Sequence, residues 1–295
     1  MFGGDLPPAE LEFRKKVQEG LPKPQNEGAA LVLMKREALS TILSGAITPD
    51  QFMVSAVAAA NELPAGTRRV SVVQAVFNAA TLGLMFGAIR GEAYLVAYKD
   101  RDASKKSGVD VYDCNLIIGY KGFRNLAFQT GFLQSFTTEV VLEGEEFECF
   151  VDEGGRRLRH RLPLGRQVKK GGENVMAAYC QYTTRTGGTN VVVVQRDELN
   201  AAQPNYSDIW KFHYSSMAQK TAIRRAAKEW AVTGSINGAV VIDEQVEAGL
   251  VQSFLGDSGL LEDVAPVKPN PRQKTGISAR QEELERIKAG ASSNG

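Results

Sequence analysis

Between residues 209 and 230 the chain reads Ile-Trp-Lys-Phe-His-Tyr-Ser-Ser-Met-Ala-Gln-Lys-Thr-Ala-Ile-Arg-Arg-Ala-Ala-Lys-Glu-Trp. On a helix, Lys220, Arg224 and Lys228 fall at i, i+4 and i+8 on one face, about 6 Å apart along the axis. Arg225 flanks them, and Glu229 is the only acid of the segment. Such a ridge, preceded by Trp210, Phe212 and Tyr214, suits the phosphates and exposed bases of a nucleic-acid strand. The ordinary alternative is a solvated face. Solvated faces mix signs for i,i+4 pairing, whereas the macrodipole accounts for only part of a basic C-terminal half.

Two further basic elements lie upstream. Arg156, Arg157, Arg159, Arg161, Arg166, Lys169 and Lys170 are interrupted by no acid; a solubilising loop is the competing reading. In Ile117-Ile118-Gly119-Tyr120-Lys121-Gly122-Phe123-Arg124, Lys121 and Arg124 stand at i, i+3 at a helix start, where free amides attract phosphate. Tyr120 and Phe123 either stack on bases or anchor that helix in the core. A duplex reader needs side chains aimed at base edges from a recognition helix. A charged groove with apolar platforms fits a single strand better.

Other chemistries have weaker support. Lys220-Thr221 follows Gln219 inside a predicted helix and lacks the glycines of a phosphate loop, which wrap successive amides around a nucleotide. Gly119-Tyr120-Lys121-Gly122 is not GxGxxG. His160 lies between Arg159 and Arg161, and His213 falls on the basic segment. With only two histidines and no CxxC pair among Cys114, Cys149 and Cys180, a zinc site is disfavoured. The cysteines read as buried small hydrophobes in a reducing compartment. Glu145, Glu146 and Glu148 read as solvated strand charges. No catalytic residue and no cofactor is expected. Two alternatives stay open. One is a metal-dependent nuclease or nucleotidyl transferase using Asp113, Glu145, Glu146 and Asp243; the other is a self-assembling structural protein whose basic ridge meets an acidic face of its neighbour.

These residues must be positioned by a core, and 295 residues with 43% hydrophobic content suffice to build one. The net charge of +1 leaves polyanion binding to local clustering. No signal peptide or transmembrane run is read, and a cytoplasmic protein is expected. Helices are predicted over 31–44, over 48–61 with Thr48 as cap and Pro49 in the first turn, and over 70–82. Strands are expected at 92–99 and 109–118 around a charged loop at 99–108. A helix over 120–130 stopped by Gly131 comes next. Short strands follow at 136–142, 146–151 and 157–161, then a hairpin of 175–184 and 189–195. The ridge helix begins at a Ser207 or Asp208 cap. The class is α+β: N-terminal helices, a small mainly antiparallel sheet with a hairpin, a long basic helix and a flexible tail. Three regions are expected: an arm over 1–28, a core over 29–255, and a Pro-containing tail over 256–295 with one helix at 278–289.

The sequence resembles the RecT family of phage single-strand annealing proteins, the Red-beta/RecT recombinase group. The matching pieces are Ala79-Ala80-Thr81-Leu82-Gly83-Leu84, Gly91-Glu92-Ala93-Tyr94-Leu95-Val96, Leu116-Ile117-Ile118-Gly119-Tyr120-Lys121-Gly122, and Met217-Ala218-Gln219-Lys220-Thr221-Ala222-Ile223-Arg224-Arg225. They occur in family order within residues 31–233, with Ala97 where the family often has Pro. The resemblance implies an ATP-independent protein that coats single-stranded DNA, forms rings or helical filaments and anneals complementary strands into duplex. A phage exonuclease or a host single-strand binding protein is the implied partner of the tail. The expected phosphate contacts are Lys121, Arg124, Lys220, Arg224, Arg225 and Lys228. Tyr120, Phe123 and Trp210 are expected to touch bases or sugars, and Arg159 and Arg161 to guard the groove mouth or meet the second strand.

Overall fold

A computed structural model describes residues 20–43, 47–87, 90–203, 209–230, 234–250 and 252. Most of the expected arm, the tail with its helix, and the Ser207/Asp208 cap lie outside the described residues. The described residues divide into two compact units, one within 20–86 and 95–116 and the other within 87–94 and 117–252. The division falls within both strands of a two-stranded sheet, β1 (Ala93–Lys99) and β2 (Tyr112–Ile118).

Among the described residues the first unit carries five helices. The single helix expected over 31–44 is two, α1 (Glu27–Met34) and α2 (Arg36–Ile42), broken at Lys35. The Asn26 side chain caps α1 by accepting the Ala29 N–H at 2.8 Å and donates to the Ala60 carbonyl at 2.7 Å. α3 (Pro49–Asn61) begins as the sequence indicated, with Thr48 as cap and Pro49 in the first turn. α4 (Arg69–Leu82) ends at Gly83, whose φ of 68° is the left-handed conformation glycine adopts without strain. Phe52, Met53, Val57, Val73, Val76 and Phe77 are fully buried. The expected charged loop at 99–108 is instead a short helix, α5 (Arg101–Ser107). Asp100 accepts the Asp102 and Ala103 N–H groups at its start, and Gly108 closes it. Capping at both ends outweighs the lack of an apolar stripe, since no α5 residue is buried.

The second unit carries a five-stranded sheet ordered β3-β6-β7-β5-β4. Its strands are β3 (Leu133–Leu142), β4 (Phe147–Asp152), β5 (Gly155–His160), β6 (Val175–Thr184) and β7 (Thr189–Gln195). All pairings are antiparallel except β5 with β7, which meet in parallel at Gly155 and Thr189. The hairpin bounds match those read from the sequence. Before the sheet comes α6 (Tyr120–Gln129); after it come α7 (Arg196–Ala201), α8 (Ile209–Phe212), α9 (Tyr214–Ala227) and α10 (Gly234–Glu247). The expected single ridge helix is thus α8 and α9, interrupted at His213 (φ −129°, ψ 38°). Helices α7 and α10 had no counterpart in the sequence reading. α9 packs against β3, β6 and β7, and also against α6 and α10.

Candidate functional site

The ridge forms as spaced, but in a setting the sequence did not reveal. Ala218, Ala222 and Ala226 are fully buried; they lie two residues, or about 200°, around α9 from Lys220, Arg224 and Lys228. Gln219, next to this small-residue stripe, donates to Glu139 of β3 at 3.2 Å. The cationic face meets α10, whose Asp243 and Glu247 share a face at i, i+4. Asp243 binds Lys220 through one oxygen and Arg224 through the other, the latter at 2.9 Å; Glu247 holds Arg224 at 2.5 Å. Lys220 and Arg224 are 5% and 8% exposed, and Asp243 is 1% exposed.

Two cations face two carboxylates in this cluster, three of the four buried and Glu247 partly exposed. Burial would lower the Arg224 pKa, but hydrogen bonds and charge from Glu247 and Asp243 outweigh it and hold the guanidinium above its usual range. Burial raises the Glu247 carboxyl, against the opposing pull of Arg224. Lys220 and Arg224, expected at phosphate, are buried here and ion-paired with Asp243 and Glu247. Arg225 and Lys228 are exposed yet paired, with Glu198 of α7 and Glu244 of α10, each at 2.6 Å.

Two residues expected to touch bases are also buried. Phe123 is fully buried and Trp210 is 2% exposed, so neither ring presents a face to a base. Trp210 packs edge-on against Tyr214, with centroids 5.3 Å apart. Tyr120 is half-buried at the start of α6. On the outer side of α6, Lys121 and Arg124 are exposed. Neither has an ion-pair partner among the described residues. The Arg124 guanidinium lies 6.0 Å from the ring centre of Phe128, which is 39% exposed. Phe128 was missed by sequence reasoning, although its i+4 spacing from Arg124 signals the pairing.

The glycines around Lys121 have a structural reason. Gly119 donates its N–H to the Glu92 carbonyl at 2.9 Å. A Cβ on Gly119 would stand 2.2 Å from the Gly91 carbonyl oxygen, and one on Gly122 would stand 2.3 Å from that of Glu92. Their bareness lets the first turn of α6 lie on the backbone at 91–92, which fixes the direction of the Lys121 and Arg124 face.

Arg159 near the end of β5 and Arg161 just past it are both exposed. Arg159 stacks 5.7 Å over Phe150, and Arg161 lies 3.8 Å from Glu146. Arg156, Arg157 and Arg166 of that basic run bind within the protein, Arg156 by donating to the Val191 carbonyl at 3.0 Å. Arg166 binds Glu139, Glu145 and the Val140 carbonyl, and Arg157 binds Asp152. Glu145, expected to be solvated, has a side chain only 4% exposed. Burial pushes its carboxyl up, but hydrogen bonds from Arg166, the Leu142 N–H and His160, with the Arg166 charge, hold it below the usual range. His160 is buried between Glu145 at 3.0 Å and the Tyr179 hydroxyl at 3.3 Å. Cys114 and Cys180 are buried as expected, whereas Cys149 is exposed. The four carboxylates of the nuclease alternative each face a cation: Asp113 faces Arg68, Glu145 Arg166, Glu146 Arg161, and Asp243 Lys220 and Arg224. No three acid, histidine or cysteine side chains converge as metal ligands, and no helix is long and apolar enough to cross a membrane, among the described residues.

Comparison with known proteins places this geometry in a family context. The model of the RecT family matches residues 50–252. Protein RecT of Escherichia coli strain K12 is 32% identical over 222 residues, which cover 71% of this chain and 77% of that protein.

Proposed function

This chain belongs to the RecT family, and we propose that it is a single-stranded-DNA-binding protein that anneals complementary strands in homologous recombination without consuming a nucleotide. The observation that carries the reading, beside the family, is the outer face of α6. Its two exposed cations lack carboxylate partners among the described residues, while a half-exposed aromatic ring lies beside them. The cations of α9 are all paired.

Lys121 and Arg124 are the first phosphate contacts in this reading, with Phe128 and Tyr120 as apolar platforms. Arg225 and Lys228 come second, because an arriving phosphate must displace Glu198 and Glu244. Exposed ion pairs contribute only about 0–1 kcal/mol, so that exchange is cheap. Arg159 and Arg161 are candidates for the second strand. Annealing is downhill, since each stacked step of the product is worth about 1.4 kcal/mol. The protein needs only to neutralise backbone repulsion and keep bases accessible. It does so as a homo-oligomer, a ring or filament, with a phage exonuclease or host single-strand binding protein as partner.

The test is Lys121→Ala with Arg124→Ala. Single-strand affinity is expected to fall and the log–log salt slope to flatten by about 1.4, from about 0.7 for each lost phosphate contact. Unchanged affinity and slope in a folded variant would remove α6 from the interface.

A further inference from the structure

A second basic surface of the same unit includes none of Lys121, Arg124, Arg225, Lys228, Arg159 and Arg161. It is an open cleft of about 450 Å³ between the loop at 168–171 and the α8–α9 break at 211–216. Lys169, Lys170 and Lys211 line it, and none of its ten lining residues is acidic. Lys169 and Lys170 are exposed, without an ion-pair partner among the described residues. Phe212 on the opposite wall is 71% exposed, an unusual position for a phenyl ring on the surface of a folded unit.

The walls are held in place. The Asn174 side chain accepts the Lys169 N–H at 2.8 Å and donates to the Gln167 carbonyl at 3.0 Å. Gly172, at φ +70°, lies so close to Tyr214 that a Cβ would stand 2.2 Å from the ring. On Tyr214, another lining residue, the Arg196 guanidinium stacks at 5.3 Å while donating to the Gly172 and Val175 carbonyls. The Asn174 bonds thus shape the lysine loop, and the Gly172 and Arg196 contacts hold it against Tyr214 at the start of α9, so little ordering cost remains for a ligand.

We propose that this cleft holds a phosphodiester segment of single-stranded nucleic acid, with Lys169 and Lys170 on the phosphates and a base stacked on Phe212. The cations are solvated and exposed, as in counterion-releasing strand sites. A site for a free nucleotide would enclose it and converge buried polar groups on it. The inference rests on the single-strand-binding reading above, and adds a contact region in which the fold brings Lys169 and Lys170 of the upstream basic run to Phe212.

The experiment measures binding of a poly-dT oligonucleotide by anisotropy across a salt series. It compares the unchanged chain, Lys169→Ala/Lys170→Ala, Lys169→Arg/Lys170→Arg and Phe212→Ala, with thermal unfolding as the folding control. The alanine pair is expected to flatten the slope by about 1.4, and the arginine pair to restore it. Phe212→Ala is expected to weaken binding about tenfold with the slope kept, as loss of one stacked base does. All these side chains are exposed, so unfolding midpoints should hold. Oligonucleotide binding by the unchanged chain together with matching affinity and slope in every variant would overturn the cleft while leaving the annealing reading intact. No binding by the unchanged chain would overturn both. Inorganic phosphate or thymidine monophosphate lost from the alanine pair, with strand binding unaffected, would make the cleft a small-anion site and also overturn the proposal.

Discussion

Replacing Asp243 by alanine removes the carboxylate shared by Lys220 and Arg224 at a point only 1% exposed. Arg224 keeps Glu247 at 2.5 Å, but Lys220 loses its only ion-pair partner among the described residues while staying buried. Breaking a buried pair from one side costs about 3–5 kcal/mol, because the remaining charge is neither solvated nor matched. For a unit of this size each kcal/mol moves the unfolding midpoint by about 2–4 °C, so the midpoint should fall by about 6–20 °C. Glu244→Ala is the control: its pair with Lys228 is exposed on both sides and should cost no more than about 1 kcal/mol. Calorimetry or urea unfolding measures both. A cost for Asp243→Ala no larger than for Glu244→Ala would refute the view that the inner half of the ridge is structural. So would a gain in single-strand affinity with a steeper salt slope, since that would mean Asp243 had been withholding phosphate contacts.

Gly122→Ala places a methyl 2.3 Å from the Glu92 carbonyl oxygen. It should destabilise by about 1–3 kcal/mol although alanine is the better helix former by about 1 kcal/mol; stabilisation on urea unfolding would show that the backbone can yield there. The lowered pKa of Glu145 contributes stability that is present above the ordinary carboxylate value and lost as pH falls through the lowered one. The raised Glu247 acts in the opposite sense, with its ionisation opposing folding as pH rises. Glu145→Gln should therefore abolish part of the acid-side loss in a pH series of urea midpoints; an unchanged profile would contradict the assignment. Both tryptophans are buried, Trp210 at 2% and Trp230 at 0% exposure. Their emission should be blue-shifted and resist iodide, whereas direct quenching by a bound strand that disappears in Trp210→Phe would restore Trp210 as a base contact.

The elements that the sequence revealed were those with local physical signals. Thr48-Pro49 marked the start of α3, Gly131 stands just past the end of α6, and the paired runs 175–184 and 189–195 marked the hairpin of β6 and β7. The ridge spacing was right as well. Its environment was not legible, because ion pairing was sought within one helix whereas the acids stand on the next. The sign that could have found them is the i, i+4 pair Asp243 and Glu247 set among Ile236, Ala239, Val240 and Val246, a helix with charges on its buried face. Lys121 and Arg124 were legible as exposed cations, but the role of the surrounding glycines depends on a backbone approach from residues 91–92, which no local pattern encodes. Short, capped helices such as α5 escape periodicity altogether.

The most direct measurement follows fluorescence-labelled complementary DNA strands as they pair, with the protein present and ATP and magnesium absent. The expected result is pairing many times faster than for free strands, reduced in Lys121→Ala/Arg124→Ala to the degree that strand binding is reduced. Pairing no faster than the free strands, or acceleration that appears only when ATP is supplied, would contradict the annealing function.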